Sequence, residues 1–268
     1  MPLVIPLKTL ALRFLPEALL RRVRKAHYAR KLAAATPEPE MAVLRHLLPP
    51  GGCALDLGAN FGLYTRFLAE AVGPTGSVHA VEPVPAMYAV LRSNVRRLGL
   101  SNVQTLPVAV SDVARTVMMT VPRYASGGSN FYEARVGVGG GRTGRTVLVS
   151  SGRLDDLFGH LSHVDAVKCD VEGHELAVLR GAAELIRRHH PAWLVEVSGN
   201  PDQPGSSAAA VVRQMRAEGY ETYHFDGRRV RPRLPGDRAV NYFFLRPEHL
   251  GRLSASLKEV TSGHTIPG

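Results

Sequence analysis

Asp56-Leu57-Gly58-Ala59-Asn60-Phe61-Gly62 is the stretch of sequence that decides the fold. The apolar run Cys53-Ala54-Leu55 precedes it and a helical pattern follows, so the pattern predicts a strand, a glycine turn and a helix. Gly58 and Gly62 have no side chains, which lets backbone or a ligand come close. The free N–H groups at the start of the following helix can bind an anionic group. We therefore expect a ligand at this turn.

A carboxylate follows the next predicted strand. The apolar run Ser77–Val81 ends at Glu82, where a carboxylate can accept hydrogen bonds from both hydroxyls of a ribose. The dinucleotide fingerprint G-x-G-x-x-G would need glycine at two positions that hold Asn60 and Leu63. The spacing D-x-G-x-x-x-G is instead similar to the first motif of Rossmann-like methyltransferases that use S-adenosylmethionine. A turn without a ligand is the alternative.

Strand and helix patterns alternate along the chain, which predicts one doubly wound α/β domain. Val164–Cys169 is a near-continuous apolar run, as expected of a parallel strand that is buried on both faces. The other predicted strands are Ser77–Val81, Val103–Val110, Ala192–Val197, Glu221–Phe225 and Val240–Leu245, with a β pair at 115–122 and 145–150; the predicted helices are 41–48, 62–72, one from Pro85 to Leu98, one after Cys169, and 207–218.

Composition shifts divide the chain into segments. Residues 1–50 form a basic helical extension, 51–248 the predicted catalytic domain and 249–268 a loose polar tail. Residues 123–144 are rich in glycine and interrupt the β pair. Such an insertion can order over a substrate as a lid, or it can be disordered.

The positive charge is concentrated at the N-terminus. Residues 1–31 carry eight Lys and Arg against Glu17, a balance of +7 within a total of +10, among several leucines. The segment is consistent with a helix packed on the domain, with contact to an anionic membrane surface, or with contact to nucleic acid.

Location in the cell is predicted from what the sequence lacks. No run of about 18 apolar residues or secretory signal pattern occurs. Cys53 and Cys169 are expected at opposite ends of neighbouring strands, which makes a disulfide unfavourable. We expect a cytoplasmic protein, with peripheral membrane contact as an option.

A second polar cluster, Asp170-Val171-Glu172-Gly173-His174-Glu175, follows the strand at Val164–Cys169. In open α/β sheets the ligand lies beyond the carboxyl ends of the strands, so this cluster points into the same crevice as the Asp56 turn. In the alternative, Asp170 caps the following helix, with Glu172 and Glu175 favoured by the helix dipole.

Together these segments resemble the FkbM family of methyltransferases. The resemblance rests on D-x-G-A-N-x-G, V-E-P, A-V-S-D, K-C-D-V-E-G-H-E and P-A-W-L-V-E-V, spans about residues 50–200, and extends to a closing strand at Asn241-Tyr242-Phe243-Phe244. It implies a mostly parallel sheet with an antiparallel last strand, and S-adenosylmethionine as the methyl donor. It further implies that Asp56, Gly58, Asn60 and Gly62 hold the amino-acid part of the donor, that Glu82 binds its ribose, and that Ala109, Val110 and Asp112 flank its adenine.

The second cluster is expected to perform the chemistry. A hydroxyl acceptor must lose its proton, and His174 is the simplest base because its ordinary pKa is near 6.5. Asp170 and Glu172 would orient it or bind the acceptor, which we expect to be a small molecule, a sugar or a glycolipid. Magnesium on Asp170, Glu196 and Asn200 is the less favoured alternative.

Three other functions remain open at this point. An NAD-linked oxidoreductase conflicts with the missing glycine of the fingerprint. An RNA-directed methyltransferase is the second, although the chain has no strong nucleic-acid signal and no Asn-Pro-Pro-aromatic motif at the fourth strand. A non-catalytic binding module of the same fold is the third.

Overall fold

An eight-stranded sheet is the centre of the computed structural model, which describes residues 16–123, 129–137 and 144–253. The strands are β1 (Cys53–Leu57), β2 (Ser77–Val81), β3 (Val103–Leu106), β4 (Ala109–Val110), β5 (Arg115–Pro122), β6 (Arg135–Val136), β7 (Gly144–Gly152), β8 (Ala166–Cys169), β9 (Ala192–Glu196), β10 (Glu221–Phe225), β11 (Val230–Pro232) and β12 (Asn241–Leu245). The helices are α1 (Glu17–Ala33), α2 (Pro39–Leu47), α3 (Leu63–Val72), α4 (Pro85–Arg97), α5 (Leu154–Phe158), α6 (Glu175–Arg180), α7 (Ala183–His189) and α8 (Ser207–Ala217), with a 3₁₀ turn at Phe131–Glu133.

The sheet has the order β11-β10-β12-β9-β8-β1-β2-β3. Strands β3, β2, β1, β8 and β9 are parallel, whereas β12 runs antiparallel between β9 and β10. Leu57 pairs with both Val81 and Cys169, so β1, β2 and β8 end at the same edge. The predicted class, a doubly wound α/β sheet with an antiparallel last strand, is confirmed.

The predicted strand Val103–Val110 is wrong as a single element. β3 belongs to the large sheet, but β4 pairs in parallel with β7 in a second, four-stranded sheet. Pro107 lies between them and has no N–H to donate to a ladder, which favours the break. The predicted β pair is confirmed, since β5 pairs antiparallel with β7 over all of its residues. Strand β11, which pairs with β10, was not predicted.

The helix expected after β8 is two short helices, α6 and α7. Gly181 lies between them against the chain that follows β4. A Cβ at Gly181 would lie 2.0 Å from the carbonyl oxygen of Ser111, so only glycine fits this close approach. The break therefore packs the β8 side of the molecule onto the segment after β4.

The basic helix α1 packs along α4. Tyr28 and Leu32 are buried, and Arg97 of α4 donates a hydrogen bond to the carbonyl of Ala29. The packed-helix interpretation accounts for this half of α1, while Leu19 and Val23 near its start are exposed. None of the helices in the described part of the chain is long and apolar enough to cross a membrane.

The two cysteines are free and buried, Cys53 at the start of β1 and Cys169 at the end of β8, as predicted. Residues 247–253 are helical and His249 is buried, so 249–253 are not part of a loose tail. The rest of the predicted tail, residues 1–15, and residues 124–128 and 138–143 of the predicted insertion lie outside the described residues.

Candidate active site

A cavity of about 350 Å³ opens at the edge where the parallel strands end. We call it the donor cavity, after the expectation stated above. It brings together most of the residues that the sequence singled out. They are Asp56, Gly58, Asn60, Glu82, Ala109, Val110, Asp170, Glu172, His174 and Glu196; Gly62, Asp112 and Asn200 are not among its lining residues.

The turn after β1 is shaped by close backbone contacts. Gly58 has a φ of +81°, and a Cβ there would lie 1.8 Å from the carbonyl oxygen of Asp170. Asn60 also has a positive φ, +48°, a conformation that asparagine tolerates better than most residues. The side-chain oxygen of Asn60 is buried and has no hydrogen-bond partner among the described residues. A buried acceptor without a donor is unusual, so this oxygen is available to a ligand.

Glu82 connects the ends of β1 and β2. Its carboxylate is 5% exposed and accepts hydrogen bonds from the backbone N–H groups of Asn60 (2.9 Å) and Val84 (2.8 Å). Burial raises its pKa to about 7, against the effect of these two donors. Each carboxylate oxygen keeps a second lone pair, so Glu82 can still accept from ligand hydroxyls.

Asp56 and Gly62 support the turn from within. The hydroxyl of Thr65 donates to the Asp56 carboxylate, and burial raises the pKa of Asp56 to about 6. Gly62 precedes α3 with a φ of +95°, and a Cβ there would lie 3.0 Å from the side chain of Leu91. Gly62 therefore shapes the turn rather than the cavity wall.

Three carboxylates meet beside the turn, and we call them the carboxylate cluster: Asp170, Glu172 and Glu196. One oxygen from each lies within 4.8 Å of the others. Burial raises the pKa of all three, to about 7 for Glu172 and Glu196, and Asp170 and Glu196 are hydrogen bonded to each other. Such a bond needs one proton between the pair, whereas no described residue donates a hydrogen bond to Glu172.

Glu172 is held in an uncommon backbone conformation. Its φ is +53°, in the left-handed region that costs a non-glycine residue about 1–2 kcal/mol. Strained residues of this kind cluster at functional sites. In this conformation the Glu172 carboxylate lies near those of Asp170 and Glu196 at the wall of the donor cavity.

His174 contacts a different part of the wall. Its Nε2 lies 2.9 Å from the hydroxyl of Ser111, which also bonds to Asp112, and burial lowers the pKa of His174. The alternative in which Asp170 caps the helix is wrong, because α6 begins at Glu175 and His174 is the residue before it. Glu175 instead accepts a hydrogen bond from the N–H of Gly173.

The predicted metal set of Asp170, Glu196 and Asn200 stays a prediction. The Asn200 side-chain oxygen accepts a hydrogen bond from the N–H of Asp202, and Asn200 does not line the donor cavity. Glu172 lies beside Asp170 and Glu196. Three carboxylates suit a hard divalent cation, so the cluster is where magnesium would bind if one were used.

Sequence reasoning missed two charged residues of the donor cavity. Lys168 is 3% exposed, donates to the side-chain oxygen of Asn241 (3.3 Å) and lies 3.9 Å from Asp170. A lysine inside the apolar strand β8 was the signal for it. Glu38, which accepts a hydrogen bond from the Tyr64 hydroxyl, precedes α2 and had no comparable signal.

Comparison with known proteins identifies the family of the chain. A family model described as the methyltransferase FkbM domain matches residues 56–222, more than half of the chain. The chain belongs to the FkbM methyltransferase family. The matched span runs from the Asp56 turn through the carboxylate cluster to β10, so it includes every predicted site residue.

Two curated relatives of this FkbM-family chain are methyltransferases. The 31-O-demethyl-FK506 methyltransferase FkbM of Streptomyces tacrolimicus is 32% identical over 53% of this chain and 64% of its own length. The methyltransferase sdnD of Sordaria araneosa is 31% identical over 51% of this chain and 62% of its own length. The chain thus spans somewhat less than two thirds of each relative. Among solved structures, the methyltransferase FkbM from Methylobacillus flagellatus KT has a TM-score of 0.47 and 15% identity, covering 83% of this chain and 59% of its own.

Residues 56–222 are therefore a methyltransferase FkbM domain, whose expected donor is S-adenosylmethionine. The donor cavity fits that molecule by its own chemistry. Gly58 leaves room for close approach of the backbone, and the side-chain oxygen of Asn60 can accept a hydrogen bond from the ligand. Glu82 can accept hydrogen bonds from ligand hydroxyls. Carboxylates outnumber cations on its walls, which suits a sulfonium cation. Family membership also removes the NAD-linked oxidoreductase alternative.

Proposed function

We propose that this FkbM-family protein methylates a hydroxyl oxygen of a small-molecule acceptor. The observation that carries the proposal is the carboxylate cluster, a group of potential bases at the wall of the donor cavity. S-adenosylmethionine supplies a methyl group on a sulfonium sulfur. The acceptor hydroxyl must lose its proton as the new bond forms, and a correctly placed base contributes about 10²–10⁴-fold.

Within this proposal the residues of the Asp56 turn bind the donor. Asn60 would bind a polar group of its amino-acid part, with Asp56 and Gly58 shaping the turn, and Glu82 would accept hydrogen bonds from the ribose hydroxyls. Ala109 and Val110 would pack against the adenine. Asp112 bonds to Ser111 outside the cavity lining, so it would act only through Ser111.

Glu172 is the base in this proposal. Its carboxylate has no hydrogen-bond donor among the described residues and faces the cavity, whereas His174 is already bonded to Ser111. Asp170 and Glu196, bonded to each other, would orient the acceptor hydroxyl. His174 would position the wall beside Ser111. The assignment differs from the sequence-based prediction, in which His174 took the proton.

The described part of the 123–144 insertion would cover the acceptor. Phe131 and Tyr132 line the donor cavity, and Lys31 of α1 donates a hydrogen bond to the Tyr132 hydroxyl. We therefore assign the methyltransferase domain to residues 51–248, with Glu38 of the extension and the described residues 131–136 of the insertion as part of the cavity wall. Neither the extension nor the insertion contains any of the motifs that carry the family resemblance. This suits a role of both regions in the choice of acceptor.

The acceptor class rests on one relative. The name of the Streptomyces enzyme specifies methylation of 31-O-demethyl-FK506, a small molecule. Sugar and glycolipid acceptors, membrane contact through α1 and a cytoplasmic location stay predictions from the sequence. RNA methylation and a non-catalytic role are outcomes that the following experiment would reveal.

Methyl transfer from carbon-13-labelled donor tests the proposal. The protein is incubated with S-adenosylmethionine labelled at the methyl carbon and, separately, with fractions of a small-molecule extract or with RNA, and the products are examined by NMR and mass spectrometry. We expect a product whose labelled carbon has the chemical shift of a methoxy group. A labelled N-methyl or S-methyl product, or labelled RNA, would contradict it. The Glu172→Gln variant serves as the low-activity control.

A further inference from the structure

A second cavity, of about 340 Å³, lies between α1, the first turns of α4 and the β5–β7 sheet. We call it the basic cleft. Four cationic side chains line it, Arg21, Arg24 and Lys25 from α1 and Arg145 from β7, against the single carboxylate of Glu17. None of these four cations forms an ion pair or a side-chain hydrogen bond with another described residue. Their charge is therefore available to a ligand.

The floor of the basic cleft is apolar. Val90 of α4, Val121 of β5 and Val147 of β7 line it together with Phe131. The guanidinium of Arg24 lies 5.3 Å from the centre of the Phe131 ring, so the cationic and apolar walls meet there. A surface that combines an apolar floor with four cations that have no ion-pair partner among the described residues suits a ligand that carries both an anionic group and an apolar part.

The basic cleft adjoins the donor cavity but has the opposite charge. Val84 and Phe131 line both of them. The donor cavity is lined by the carboxylates of Glu38, Asp56, Glu82, Asp170, Glu172 and Glu196, with Lys168 the cation among them. The sulfonium donor matches these acidic walls and not the basic ones. The basic cleft therefore calls for a different molecule, one that can reach the donor cavity past Phe131.

We propose that the basic cleft binds the anionic end of an amphipathic molecule, a phosphate, sulfate or carboxylate attached to an apolar chain or ring. This molecule is the methyl acceptor, and its hydroxyl extends into the donor cavity. The identity of the ligand as acceptor rests on the proposed function, whereas the binding does not. A failure of binding would leave O-methylation intact, and a failure of O-methylation would leave the binding intact.

Calorimetric titration with decyl phosphate, below its micelle concentration, tests the binding. The full chain is saturated with S-adenosylhomocysteine first, so that the donor cavity is filled. Inorganic phosphate tests the anion alone and decanol the apolar chain alone. We expect decyl phosphate to bind at least about 10-fold more tightly than either, because it alone engages both walls. Equal affinity of inorganic phosphate, or displacement of S-adenosylhomocysteine by decyl phosphate, would overturn the proposal.

A pair of charge-matched variants locates the site. Arg24→Gln/Arg145→Gln removes one cation from each wall of the basic cleft, and Arg213→Gln/Arg228→Gln removes two exposed cations elsewhere. We expect the first pair to weaken decyl phosphate binding about 10-fold or more and the second to leave it unchanged. Equal affinity in all three proteins would overturn the proposal. A protein that sediments with phosphatidylglycerol vesicles but does not bind decyl phosphate would also overturn the proposal. That result would assign the basic helix to a membrane surface.

Discussion

The α-carbon of Gly58 lies so close to Asp170 that a Cβ would come within 1.8 Å of the Asp170 carbonyl oxygen. Two chain segments more than a hundred residues apart therefore meet without room for a methyl group. The contact joins the turn after β1 to the segment after β8, which carries the carboxylate cluster. It holds the two halves of the candidate site in register.

We expect Gly58→Ala to destabilise the protein and to abolish donor binding. The substitution forces a residue with a Cβ into φ +81°, which costs about 1–2 kcal/mol, and adds a clash with backbone that cannot move freely. Gly227→Ala is the matched control, because Gly227 has a φ of +91° but no atom within 4 Å of the added Cβ. Urea unfolding of both variants measures the difference. A Gly58→Ala protein no less stable than Gly227→Ala would show that the close approach is not real.

The base is tested by comparing Glu172→Gln with His174→Asn. If Glu172 accepts the hydroxyl proton, its substitution lowers kcat by about 10²-fold or more, while the affinity for S-adenosylhomocysteine changes little. His174→Asn is expected to have a smaller effect, because His174 supports the wall through Ser111. The opposite ranking would return the role of base to His174.

The pH profile gives an independent test of the same assignment. A carboxylate base works only when deprotonated, so kcat should rise with pH through a pKa of about 7, the value to which burial and the neighbouring carboxylates raise that of Glu172. A histidine base at position 174 would give a limb below its ordinary pKa of about 6.5, because burial lowers its pKa. A rising limb in that lower range would contradict the Glu172 assignment.

Chelation distinguishes proton removal by Glu172 from activation of the hydroxyl by a metal ion. We expect EDTA to leave the methylation rate nearly unchanged, because Glu172 removes the proton without a cation. A cation held by the carboxylate cluster would be favoured by two results together. The wild-type protein would lose activity in EDTA and regain it with magnesium, whereas magnesium would not restore activity to the Glu196→Gln variant.

Donor binding should relieve the charge that accumulates in the donor cavity as the pH rises. Burial raises the pKa of Glu82 from its ordinary 4.5 to about 7, so its contribution to stability is present below about pH 4.5 and is lost as the pH rises through 7. The sulfonium of S-adenosylmethionine offsets the resulting charge, whereas S-adenosylhomocysteine has a neutral sulfur. The excess rise in Tm given by S-adenosylmethionine over S-adenosylhomocysteine should therefore be larger at about pH 8 than at about pH 6. An excess that does not change between them would contradict the account.

The sheet and the positions of the site residues could be predicted because they follow from local patterns. Gly58, Glu82 and Asp170 each directly follow an apolar strand in the sequence. Because parallel strands end at the same edge of a sheet, the sequence predicts that these three residues lie at one edge. The partners of the side chains could not be predicted in this way. Glu196, and not His174, lies beside Asp170 and Glu172. This arrangement depends on the neighbouring positions of strands β8 and β9 in the sheet and on the left-handed backbone conformation of Glu172.

Other features depended on contacts that no local pattern contains. The break at Pro107, which sends β4 to a second sheet, and the break at Gly181 both reflect how distant segments pack. Glu38 reaches the donor cavity because α2 packs against the domain, and the basic cleft exists because α1 lies along α4.

Titration calorimetry of the donor tests the central claim most directly, namely that S-adenosylmethionine binds in the cavity built around Glu82. The wild-type protein should bind S-adenosylmethionine and S-adenosylhomocysteine but not NAD. Glu82→Ala should weaken the binding by roughly 1–3 kcal/mol, because hydrogen bonds to a charged group are lost. Glu70→Ala on the exposed face of α3 should not change it. An unchanged affinity in Glu82→Ala would contradict the account, because the donor would then bind elsewhere.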